Sequence, residues 1–103
     1  MINKTKNTIT KYKFYVGWDN KTHKREIKKA INVLNDFKVL GFNINKNMVG
    51  FWEKTKENSF IIEVLNTEEI NLNDNIIKNI RFELENKLNQ FLVLTTKEEI
   101  QII

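Results

Sequence analysis

The chain has 103 residues, 41% of them hydrophobic and 11% aromatic, enough for one domain around one core and too little for two. Cysteine is absent, which excludes disulfides, thiol nucleophiles and thiolate metal sites. The net charge of +4 hides a division: residues 1–52 carry 11 Lys/Arg against 3 Asp/Glu, a net of +8, and residues 53–103 carry 6 against 10, a net of −4. A modest total can therefore conceal one basic surface.

Met1–Thr10 is polar with scattered lysines and lacks the apolar run of a secretory signal. It reads as a flexible segment ahead of a single domain over 11–103. No apolar run approaches the roughly 18 residues that suggest a membrane span. The expectation is a cytoplasmic protein with no membrane partner.

Lys11–Trp18 alternates at period two. Tyr12, Phe14, Val16 and Trp18 fall on one face and Lys11, Lys13, Tyr15 and Gly17 on the other, the pattern of a strand with one face buried. Asp19–Lys21 is a turn, and Thr22 or Asp19 is the helix cap. The helix predicted over His23–Asn35 has an apolar stripe of Ile27, Ala30, Ile31 and Leu34, with Val33 beside it. Lys24, Arg25, Lys28 and Lys29 lie off that stripe. Their i,i+4 pairs repel by a few tenths of a kcal/mol, and positive charge near a helix N-terminus is unfavourable. Together with Lys21 they are either a solvated face or a contact for an anionic partner.

Phe37–Leu40 belongs to the helix end or to the next strand, and Gly41 punctuates either. Phe42, Ile44 and Gly50–Glu53 predict a second strand, interrupted at Asn45–Met48 by a bulge or a hairpin turn. Lys54–Asn58 reads as a polar turn. Ser59–Leu65 carries Phe60, Ile62 and Val64 on one face and Ile61, Glu63 and Leu65 on the other. Both faces are substantially apolar, which predicts a central strand. Asn66–Leu72 is a connection with one helical turn at Glu68–Ile70. Ile76, Ile77, Ile80, Leu84 and Leu88 then mark a helix over Asp74–Asn89. Phe91–Thr95 reads as the last apolar strand, and Glu99–Ile103 as a short edge strand or a partner-binding end. The order β-α-β-β-α-β predicts an α+β, ferredoxin-like fold: a four-stranded antiparallel sheet with two helices on one face, its first and third strands central.

Catalytic chemistry finds little footing. His23 is the lone histidine. Asp19 and Glu26 near it, amid basic residues, make a poor cation trap. Ser59 is the sole serine and falls in or beside a strand, so a Ser-His-acid triad is not indicated. The acid pairs Glu68/Glu69 and Glu98/Glu99 are adjacent in sequence and do not face each other. Gly17, Gly41 and Gly50 form no phosphate loop. The expectation is a non-enzymatic protein without cofactor or metal.

Tyr15, next to Lys11 and Lys13 on the outward face, could stack on single-stranded nucleic acid. Against this, the third strand directs Ile61, Glu63 and Leu65 outward, an apolar and acidic set more suited to protein contact or a homodimer interface.

The chain also resembles a group of small, largely uncharacterised proteins of bacterial phages and plasmids. The shared pattern is an aromatic strand ending in Gly, an acidic turn and a Lys-rich helix, here Tyr12–Val16, Gly17, Trp18, Asp19 and Lys21–Glu26. Gly50–Phe51 and the run Leu88, Asn89, Gln90, Phe91, Leu92 and Val93 extend it over residues 11–95, with a departure at Asn43–Met48. The resemblance implies a mobile-element accessory protein, an anti-CRISPR-like inhibitor docking on a nuclease or ribonucleoprotein of a host defence system. The expected partner-binding residues are Lys21, Lys24, Arg25, Lys28, Lys29, Lys11, Lys13, Tyr15, Ile61 and Leu65. The alternative is direct nucleic-acid binding by the basic N-terminal half.

Overall fold

The structure, a computed structural model, describes residues 8–18, 23–52, 55–66 and 72–103, and the side chains of all of these except 18, 23–25, 47–52 and 55–58. Its elements are β1 (Thr8–Trp18), α1 (His23–Asp36), β2 (Phe42–Trp52), β3 (Thr55–Asn66), α2 (Asp74–Lys87) and β4 (Leu94–Gln101). The sheet order is β2-β3-β1-β4, and each neighbouring pair is antiparallel. This is the ferredoxin-like β-α-β-β-α-β arrangement expected from the sequence, with β1 and β3 in the middle.

Period-two alternation decides which face meets the helices. Phe14 sits opposite Ile62 on β3 and Thr95 on β4. Tyr12, Phe14 and Val16 therefore share a face with Phe60, Ile62 and Val64. On that face α1 places Ile27, Ala30, Val33 and Leu34, and α2 places Ile77, Ile80 and Leu84, all in one buried cluster. Phe14 and Phe60 are its largest wholly buried side chains. Truncating either to Ala removes about 3–5 kcal/mol.

Both helices stop in the same way. At the end of α1 the Val39 amide bonds the Leu34 carbonyl at 3.0 Å and the Lys38 amide bonds the Asn35 carbonyl at 2.9 Å. At the end of α2 the Gln90 amide bonds Glu85 at 2.8 Å and the Asn89 amide bonds Asn86 at 3.4 Å. These are the two bonds of a Schellman motif. Its left-handed residue is Lys38 (φ 60°) in one and Asn89 (φ 55°) in the other, with no glycine in either place. Residues 37–41 are thus a helix stop and a connection, not part of the next strand. At the other end of α2, Asn73 caps the helix by accepting from the Ile76 amide at 2.9 Å.

One alternative is decided and two expected boundaries are corrected. The interruption at Asn45–Met48 is a bulge inside one strand, since the register of β2 on β3 shifts there and resumes. Of the polar stretch expected as a turn at Lys54–Asn58, Thr55–Asn58 is strand: Thr55 opens β3 opposite Trp52, because ladder hydrogen bonds with β2 hold the backbone whatever its side chains are, while Lys54 lies outside the described residues. The last strand is Leu94–Gln101 and not Phe91–Thr95. Phe91 and Leu92 are exposed in the connection before it, while Val93 alone turns inward, its amide held by Glu85 Oε2 at 2.9 Å. The expected edge segment Glu99–Ile103 supplies the end of this strand, as far as Gln101.

β1 begins at Thr8, three residues before the alternation becomes plain. The rest of the expected flexible segment, the turn and caps at Asp19–Thr22 and the helical turn at Glu68–Ile70 lie outside the described residues. No described helix is long and apolar enough to cross a membrane.

Candidate functional site: the uncovered sheet face

Two helices cover one side of the sheet, and the side chains that alternate with the core occupy the other. β1 contributes Lys11, Lys13 and Tyr15. β3 contributes Ile61, Glu63 and Leu65. β4 adds Leu94, Thr96, Glu98 and Ile100, and β2 adds Asn43 and Asn45, as the register dictates. The sequence-predicted set on these strands is therefore brought onto one surface.

The centre of that surface is a chain of charges. Glu63 Oε2 lies 3.5 Å from Lys11 Nζ and 3.9 Å from Lys13 Nζ, and Lys13 Nζ lies 3.5 Å from Glu98 Oε1. Two lysines from the basic half of the chain thus meet two glutamates from the acidic half, and the face is locally neutral. Apolar groups flank this chain. Tyr15 sits opposite Ile61 on one side and Leu94 on the other. Leu65 is directly opposite Lys11, and Ile9 is opposite Ile100.

Ile61 is only 9% exposed although it stands apart from the helix-side core. Neighbouring strands cover it, with Tyr15 and Asn45 at the flanking register positions. It forms the floor of the surface and offers little area for contact. Leu94, 53% exposed, offers more; it fell inside the expected last strand, but its face follows only from the register on β1.

Lys28 and Lys29 are exposed on α1, in the helix layer on the opposite side of the sheet. Lys29 Nζ is 3.9 Å from Oε1 of Glu26, a buried residue one turn earlier. Lys21 and the side chains of Lys24 and Arg25 lie outside the described residues. The fold separates the helix lysines from the sheet lysines, so the expected site is two surfaces.

Among the described residues there is no group of three His, Cys, Asp or Glu that could hold a metal. Ser59 stands opposite Gly17 in the sheet. Glu98 faces Lys13 while Glu99 accepts from Thr10 Oγ1 at 3.0 Å, so the adjacent acids point to different neighbours. No catalytic grouping is assembled among these side chains.

One polar cluster was not anticipated. Tyr12, buried at the edge of the core, donates its hydroxyl to Asp74 Oδ1 at 3.1 Å, and Lys97 Nζ donates to Asp74 Oδ2 at 3.0 Å. The Lys97 hydrogen bond first, and then that of Tyr12, holds the Asp74 carboxyl below the usual carboxylate value. Burial, aided by the Asp74 hydrogen bond and charge, pushes the Tyr12 phenol up. Partners 62 and 23 residues apart leave no local signal in the sequence.

No family model and no curated protein matches the chain. Solved structures do. Over 93% of this chain and 93% of the other, the fold is similar to that of CPII from Thiomonas intermedia K12, a nitrogen regulatory PII-like protein bound to ADP, AMP and bicarbonate, with a TM-score of 0.57 and 14% identity. The apo form of CPII aligns with a TM-score of 0.57 and 13% identity, over 92% and 91% of the two chains. At this identity the likeness is one of fold. The resemblance to phage- and plasmid-borne proteins, with its anti-CRISPR and inhibitor roles, is corrected by these findings, since the structures found are PII-like regulators. The short motifs behind it have a structural explanation. Gly17 lies near the end of β1, and Asn89 is the left-handed residue that stops α2; both are local solutions open to many unrelated sequences.

Proposed function

We propose that this is a small, non-catalytic regulatory protein that works by docking its uncovered sheet face onto another protein. One observation carries the reading: the face opposite the helices combines a self-neutralised charge chain, Lys11–Glu63–Lys13–Glu98, with apolar groups at Tyr15, Leu65 and Leu94. A surface with neutral charge and aromatic and aliphatic anchors suits a protein contact. It suits nucleic acid poorly, because phosphate binding depends on unpaired lysines. The description of the fold neighbours as nitrogen regulatory PII-like proteins supports a regulatory role. A second copy of the chain is one occupant of the face. Lys28 and Lys29 on α1 lie on the opposite side of the sheet and take no part in this contact.

The test uses Tyr15→Glu and Leu94→Lys, with Lys28→Glu/Lys29→Glu as the control on the opposite side. Ile61→Lys is avoided, because a charge in that covered position threatens the fold. Light scattering reads self-association, and recovery from nuclease-treated lysate reads other partners. The expected result is loss of the association in the two sheet variants with an unchanged circular dichroism spectrum, and its survival in the helix control. Sheet variants that retain every association of the wild type would refute the reading.

A further inference from the structure

On the helix side of the β4 edge, α2 and β4 flank an open cleft of about 140 Å³. Tyr12 and Ile77 help line it, and Asp74, Lys78, Arg81, Thr95, Thr96 and Lys97 supply its polar wall. Three cations thus face one carboxylate. That carboxylate is engaged on both oxygens by Tyr12 and Lys97, and neither Lys78 nor Arg81 bonds to it. Neither of these forms an ion pair among the described residues. Lys78 and Arg81 stand one turn apart on α2, a spacing at which like charges repel. The Arg81 Nε is buried and has no hydrogen-bond partner, a condition that ordinarily costs about 1–3 kcal/mol and more for a charged group.

We propose that this cleft binds a small oxyanion of the phosphate class, with Arg81 and Lys78 as its principal ligands and Lys97 completing the site. The net charge of the wall, +2, matches a phosphate dianion. Pockets that enclose whole cofactors or drug-sized ligands run to about 300–1,000 Å³, so this smaller, open cleft holds a phosphoryl group and leaves the remainder of any larger molecule outside. The anion is either free phosphate or the phosphoryl end of a larger molecule whose remainder stays outside. The guanidinium fork suits the paired oxygens of either.

The experiment is an amide-resonance titration of the full chain with inorganic phosphate and, separately, with glycerol 3-phosphate as a minimal ester, at constant ionic strength with chloride as the reference. Saturable shifts are expected at residues 78, 81 and 95–97. Tighter binding of free phosphate identifies the free ion, and binding of the ester at least as tight identifies an end group; either supports the site. Arg81→Gln should weaken binding at least about 10-fold, the loss of one charge-assisted contact. Lys78→Gln, at an exposed position, provides the same reading should the Arg81 variant fail to fold. Shifts no different from those in chloride, or phosphate affinity unchanged in a folded variant, would overturn the proposal.

Discussion

Lys38 occupies a backbone conformation that costs a side-chain-bearing residue about 1–2 kcal/mol and costs glycine almost nothing. It is exposed and ends α1 with φ at 60°. Lys38→Gly is therefore expected to raise stability by about 1 kcal/mol, read as an increase in urea midpoint. Asn89→Gly should gain only a few tenths, because asparagine already tolerates this region; equal gains at both sites would contradict the account. The Tyr12–Asp74 pair makes a second prediction, about pH. Asp74 is depressed in the folded state, so its contribution is present above the usual carboxylate value and is lost as pH falls through the lower folded value, below about pH 4. Tyr12 is raised, so its contribution is complete below about pH 10 and is lost as pH climbs through the higher folded value. In a series of urea midpoints against pH, Tyr12→Phe should flatten the alkaline limb, and Asp74→Asn should reduce the dependence at both ends.

Elements were legible in the sequence where burial imposed a period. β1, β3 and the two helices follow from alternation and from the 3.6-residue stripe, and the pairing order follows from the β-α-β-β-α-β sequence. β4 was misplaced because an edge strand carries polar side chains that discourage pairing with other chains; Thr-Thr-Lys-Glu-Glu resembles a loop, while exposed Phe91–Leu92 resembles a strand. The candidate face was legible on β1 and β3 for the same reason that the core was. Its charge chain was not, since Lys13 and Glu98 meet only once the register of β1 on β4 is known. Asn66 illustrates a further device. Its amide donates to the Leu72 carbonyl at 2.7 Å, and its oxygen accepts from the Leu72 amide at 2.9 Å, so one side chain substitutes for a strand partner at the entry to α2. Asn66→Asp keeps the acceptor, removes the donor and sets two oxygens against each other. It should cost about 1–3 kcal/mol, no less than Asn66→Ala, in equilibrium unfolding.

For the molecule as a whole, folding cancels on the sheet face the charge contrast that divides the two halves of the chain. Lys11 and Lys13 add to a basic half only on paper; in the sheet each lies against a glutamate. Replacing Glu63 and Glu98 together with Gln frees both lysines and adds two net positive charges. The double variant should bind mixed-sequence RNA in a salt-sensitive manner that the wild type does not show, measured by fluorescence anisotropy across a salt series. Its loss of stability should stay near 1 kcal/mol, since partly exposed ion pairs contribute little. An unchanged RNA affinity would mean that these lysines are not held back by their partners.

The central position of β1 also has a consequence during synthesis. Thr8 pairs with Gln101, 93 residues later, and at about 5–20 residues per second the ribosome needs roughly 5–20 s to deliver that partner. β3 arrives sooner and closes one edge of β1, while the other edge, with Ile9, Lys11, Lys13 and Tyr15 along it, waits for β4. In this interval the nascent chain carries an open edge in what will be the middle of the sheet, the kind of template that recruits foreign strands. Glu63 of β3 already lies against the two lysines on that stretch, and β4 is what closes the edge and brings Glu98 to Lys13.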